Sequence, residues 1–150
     1  MEQIKETSML DGILENTTLD DFEKYIAKHN SDSYTSLSDY LNEYIAEHSL
    51  VLADVIKRSM MSRDYAYSIF NGHRANPTRD RVIAICLACE MDLASVQRAL
   101  KICNAGILYS KNNRDAAVMI CINRGIRKVQ DVNDFLYEHN MEPLKTSKDN

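Results

Sequence analysis

Two sets of residues in this sequence could do chemistry. The first is a set of thiols. Cys86 and Cys89 stand in a C-x-x-C spacing, with Cys103 and Cys121 further along the chain. That spacing suits a pair of zinc ligands or a redox couple. The run "RVIAICLACEM" around it reads instead as one continuous buried helix, and no second C-x-x-C or H-x-x-x-H pair accompanies it. Cysteine is among the most buried residue types. Core thiols in a reducing cytosol are therefore expected, with no metal and no cofactor. The second set is cationic. The stretch "SRDYAYSIFNGHRANPTRDR", Ser62 to Arg81, surrounds a helical pattern with four arginines. Guanidinium groups on a short helix could fork onto guanine edges or phosphates. The four histidines, His29, His48, His73 and His139, are scattered near helix ends, where a cation suits the helix dipole. With no Ser-His-Asp spacing, no glycine-rich phosphate loop and no paired carboxylates, no catalytic residue and no enzyme activity are expected.

The elements that must position those arginines are helices. The chain has 150 residues, 45% of them hydrophobic, but only four glycines and two prolines. Few breakers and much Ala, Leu, Ile, Met, Glu and Lys predict an all-α protein with a substantial core. No apolar run reaches membrane-spanning length, and "MEQIKETSML" lacks a basic-then-apolar layout, so a soluble cytoplasmic protein is expected. The net charge is −4, and it is unevenly spread. Residues 1–35 hold eight carboxylates against three lysines. Lys57 to Arg81 holds six cations against two carboxylates, a local basic surface within an acidic chain.

Four divisions follow. Residues 1–35 form an acidic arm with one short helix, capped by Thr18 and stopped at Asn30. Residues 36–104 carry five helices joined by short turns. Ser36 caps the first, which turns Leu37, Leu41, Tyr44 and Ile45 inward. The next carries Leu52, Val55 and Ile56, and Ser62 opens the third. Thr78 caps the fourth and Asp92 the fifth. Residues 105–142 form a helical pair, with Asp115 in the first turn of one and Gly125 as its stop. Residues 143–150 read as a tail.

On a wheel of about 100° per residue, Ala66, Ile69 and Phe70 fall on one side of the Ser62 helix. Asp64, Tyr67, Ser68 and Asn71 fall opposite, and Arg63 lies in the first turn. Tyr65 and Tyr67 also suit packing against neighbouring helices. Arg79 and Arg81 also suit ordinary surface pairs with Asp80, Glu90 or Asp92.

A short helix, a tight turn and a second short helix, with one helix before and two after, resembles a helix-turn-helix layout. "SIFNGHRAN" and the later "NP" before a new helix closely resemble the end of the recognition helix and its following loop in the phage lambda repressor-like, Xre-type family. The block from Leu37 to Leu100 resembles such a domain, and the whole chain resembles small bacterial members with a C-terminal helical extension. The resemblance implies a five-helix DNA-binding domain. It assigns Arg63, Asp64 and Ser68 to base edges, Asn71 to a phosphate and Arg74 to a further DNA-facing position. Tyr67 could donate to base or phosphate, and Lys57, Arg58 and Arg74 would release counterions. Leu52 stands where many members carry glutamine. Met60 stands where glycine is usual, so the turn needs a left-handed Met60 or a different geometry.

Two functions are consistent with these readings. One is a DNA-binding transcriptional regulator that inserts the Ser62–Asn71 helix in the major groove of double-stranded DNA. It would act as a homodimer through the last two helices, whose apolar stripe needs covering. The other is a protein-interaction module on the same scaffold, in a bacterial signalling or defence system, with its partner on the N-terminal arm or the C-terminal helices.

Overall fold

The computed structural model describes residues 36–147. Within them the chain forms seven α-helices and no strand. They are α1 (Leu37–Glu47), α2 (Leu52–Arg58), α3 (Arg63–Phe70), α4 (Arg79–Ala88), α5 (Leu93–Ile102), α6 (Asn113–Asn123) and α7 (Val129–Glu138). The expected acidic arm and its Thr18 helix lie outside the described residues. No described helix is long and apolar enough to cross a membrane.

Helix α4 is the axis of the body. Every residue from Arg81 to Cys89 is buried, so this helix is enclosed on all sides. It packs against α2, α5 and α7, while α3 rests on α1 and α2. The four cysteines are all buried and free. Desolvation raises the thiol of Cys86 well above its ordinary value and pushes Cys89 up to about 12, which holds both protonated.

Local signals set the helix starts. Ser36, Ser62, Asp92 and Asn112 each accept a backbone N–H three residues on. Thr78 occupies the N-cap of α4, but its side chain makes no cap hydrogen bond. The helix ends share one device. Each helix is followed, one residue beyond its C-cap, by a residue in the left-handed region: Ser49, Met60, Gly72, Glu90, Asn104, Gly125 and Asn140. After α1, α4, α5, α6 and α7 the next two N–H groups fold back onto the last turn. Ser49 to Ala46 O with Leu50 to Ile45 O is one such pair, and Glu90 to Leu87 O with Met91 to Cys86 O another. This is the Schellman pattern. Helices α2 and α3 depart from it. Ser59 Oγ receives the N–H of Met61 (3.3 Å), and Asn71 Oδ1 receives the N–H of His73 (2.9 Å).

The C-terminal helical pair is part of the same body. Val118, Cys121, Ile122, Val132 and Leu136 are buried within the chain. The apolar stripe from which a dimer surface was expected is therefore largely spent inside the protomer. The expected tail also differs. As far as Ser147 it is fastened to the body, with Leu144 buried and its N–H donated to Asn133 Oδ1 (2.8 Å).

Candidate nucleic-acid interface

Helix α3 is only eight residues long and has weak intrinsic stability, so its pose comes from packing. Ala66, Ile69 and Phe70 are 0–4% exposed and seat one face in the core. At its exit, Asn42 Nδ2 on α1 donates to Phe70 O (2.8 Å). Gly72 follows with φ +87°, and a Cβ there would stand 3.4 Å from Ser38 Oγ. At its entrance, the turn from α2 passes through Met60 with φ +61°. Of the two expected alternatives, a left-handed Met60 or a different turn, the chain adopts the left-handed methionine. Ser59 is fully buried beneath this turn, its hydroxyl donating to Ile56 O (2.6 Å). Neither Asn42 nor Ser59 was recognisable from the sequence, because each acts on a backbone group that only the folded chain brings near.

The outer face carries the expected candidates in three different conditions. Lys57, Arg63, Asp64, Asn71 and Arg74 are exposed. The Arg63 guanidinium lies 5.5 Å from the centroid of the half-buried Tyr67 ring, a cation–π contact along the helix surface. Arg74 lies 4.4 Å from the centroid of Tyr65. Asn71 spends Oδ1 on the loop, which leaves its Nδ2 donors. Two candidates are otherwise engaged. Ser68 turns its hydroxyl back onto Tyr65 O, one turn earlier in the helix. Arg58 is exposed but directs Nε and Nη2 onto Ala88 O (3.0 and 2.8 Å), the free carbonyl end of α4. A buried carbonyl at a helix C-terminus attracts a cation more strongly than bulk water does.

The remaining two arginines of the basic stretch are bonded within the fold, Arg79 half-buried and Arg81 buried, though not with the partners expected. Arg79 forks onto Asp115 (2.8 and 2.7 Å) and reaches Gly106 O and Ile107 O. Asp80 in turn receives the fork of Arg114 (3.1 Å for both bonds). The dipeptide Arg-Asp occurs at the starts of α3, α4 and α6, and the copies on α4 and α6 pair crosswise. The repetition alone does not single these two out, because Arg63-Asp64 on α3 has the same dipeptide and stays exposed. The Asp115 carboxyl is held below its ordinary range. Burial works against ionisation, but the Arg79 fork, the Tyr109 N–H and the charges of Arg79 and Arg114 prevail. Arg79 is raised correspondingly, by its bond to Asp115 above all. Arg81 is 9% exposed, donates to Tyr65 Oη (3.2 Å) and Thr146 O (3.3 Å), and lies 4.4 Å from the Tyr65 centroid.

Of the six cations between Lys57 and Arg81, four are exposed, Lys57, Arg58, Arg63 and Arg74, and Arg58 is already bonded to Ala88 O. No family model, curated protein or solved structure matches this chain. What the site can do rests on its own geometry. Its face offers a stacked guanidinium, an adjacent carboxylate, amide donors and two flanking cations, all attached to a short helix with a buried base.

Proposed function

We propose that the protein is a DNA-binding transcriptional regulator of the lambda repressor-like helix-turn-helix type, with α3 as the helix that enters the major groove. One observation carries the reading. The apolar face of α3 is fully spent on the core, while Arg63, Asp64, Asn71 and Arg74 remain exposed. The resemblance of "SIFNGHRAN" to the recognition helix and loop of Xre-type domains supports the same face. Eight residues span about 12 Å, comparable to the major groove width of about 12 Å. Arg63 is suited to guanine O6 and N7, its plane already limited by Tyr67. Asp64 is suited to the exocyclic amine of cytosine. Arg74 and Lys57 flank the helix as phosphate contacts, with Asn71 Nδ2 between base and backbone.

The working form in this reading is a homodimer, its two α3 helices about 34 Å apart. With the α6–α7 stripe mostly internal, such a dimer has to use outward residues, of which Ile120 and Tyr137 are exposed on those helices. Selection of duplexes from a random pool, followed by fluorescence anisotropy on the recovered sequence, tests the proposal. Arg63→Ala and Arg74→Ala are each expected to weaken binding about tenfold while leaving the melting temperature unchanged. Unaltered binding in both variants overturns it.

The bonding of Ser68 and Arg58 to carbonyls of the protein's own backbone favours a second reading. It leaves a face richer in Tyr67 and Arg63 than in phosphate-gripping donors, suited to a protein partner. Passage through heparin at low salt without retention selects that reading.

A further inference from the structure

Residues 142–147 contain no helix, yet their backbone is bonded to side chains of the body at five points. Arg114 donates to Glu142 O and Pro143 O (both 2.9 Å). Asn133 Oδ1 accepts from Leu144, and Asp80 Oδ2 accepts the N–H of Lys145 (3.0 Å). Arg81 Nε donates to Thr146 O, and Thr146 Oγ1 donates to Met60 O (3.3 Å). Five consecutive residues each have a backbone group bonded to a side chain from another part of the fold. A solvated tail would leave those groups to water. Leu144, 3% exposed, anchors the segment in the core.

The far end of this segment reaches α3 through two intermediaries. One is the carbonyl of left-handed Met60, in the turn that launches the helix. The other is Arg81, which links Thr146 to the Tyr65 hydroxyl and ring. The same ring carries Arg74. We propose that residues 142–147 form a strap that positions α3, with Arg81 and Tyr65 as positioning residues for Arg74. The role of Arg74 rests on the DNA-facing reading; the hold on α3 does not.

Hydrogen exchange on the full chain, on a chain ending at Glu142 and on an Arg81→Met variant tests the strap. Arg81→Met keeps most of the buried stem and removes both bonds, so it serves if the shortened chain fails to fold. Exchange across 60–70 is expected to accelerate about tenfold in either variant, with 82–100 changed by less than about twofold. No acceleration across 60–70 overturns the proposal. So does equal acceleration of both segments, which makes the segment a general staple of the body. Anisotropy on the selected duplex separates the two ideas. If the intact chain binds no duplex while 60–70 loosens, the reading of the α3 face fails and the strap stands. If it binds and 60–70 is unmoved, the strap fails and the reading stands.

Discussion

Ser68 and Arg58 show that residue type and availability are separate properties. Both have the right groups for DNA, and both are near α3. The Ser68 hydroxyl is satisfied by Tyr65 O within its own helix, as serines in helices often are. Arg58 is held by the last carbonyl of α4, where two bonds and the helix dipole act together. Ser68→Ala is therefore expected to leave duplex affinity within about twofold, because the hydroxyl is already bonded inside the protein. Arg58→Ala is expected to cost stability instead, about 1–2 kcal/mol in urea denaturation, with the discount an exposed cation requires. Loss of affinity without loss of stability in Arg58→Ala would place that side chain on the ligand.

At the scale of elements, the helix ends repay comparison. All seven helices finish through a left-handed residue, but only α3 and α6 supply glycine for it. A non-glycine residue pays about 1–2 kcal/mol for that conformation, partly offset because glycine loses more entropy on folding. Met60→Gly is thus expected to raise the melting temperature, with a net gain of about 0.5–1 kcal/mol. The side chain is half-exposed, so little packing is lost. An unchanged or lowered melting temperature would show that the methionine makes contacts worth the strain. The turn is also where Ser59 and Thr146 bond the chain, which explains how a strained residue is held there.

At the scale of the whole molecule, the crossed Arg-Asp pairs join α4 to α6 and so tie the C-terminal helices to the helix-turn-helix candidate. Asp115→Ala leaves Arg79 without its fork and is expected to destabilise the protein by about 2–3 kcal/mol, read by denaturation. Acid should act on the same link. Because the folded-state pKa of Asp115 is depressed, its contribution is complete above the ordinary aspartate value of about 4 and is lost as pH falls below it. The acid transition of Asp115→Asn is expected to be shallower than that of the parent. The same internal pairing lowers the charge offered to a ligand. With Arg58 held on Ala88 O, three exposed cations are left for phosphate, and the slope of log affinity against log salt is expected near −3 per bound chain. Six would give about −5, so a steeper slope would show that Arg58, Arg79 or Arg81 leaves its internal partner on binding.

Residue order alone determined the helices of the described body, the caps at Ser36, Ser62 and Asp92, and the buried side of α3 at Ala66, Ile69 and Phe70. These depend on spacing within about one or two turns, and such spacing is written directly in a sequence. Tertiary structure alone decided which cations face outward. Arg79 finds Asp115 across 36 positions and Arg81 finds Thr146 across 65, and no local rule pairs residues so far apart. It also decided that the α6–α7 stripe closes on the chain's own core and that the segment after Glu142 is fastened near Met60. Each outcome depends on where distant elements meet, and burial and hydrogen bonding set that only once the whole chain has packed.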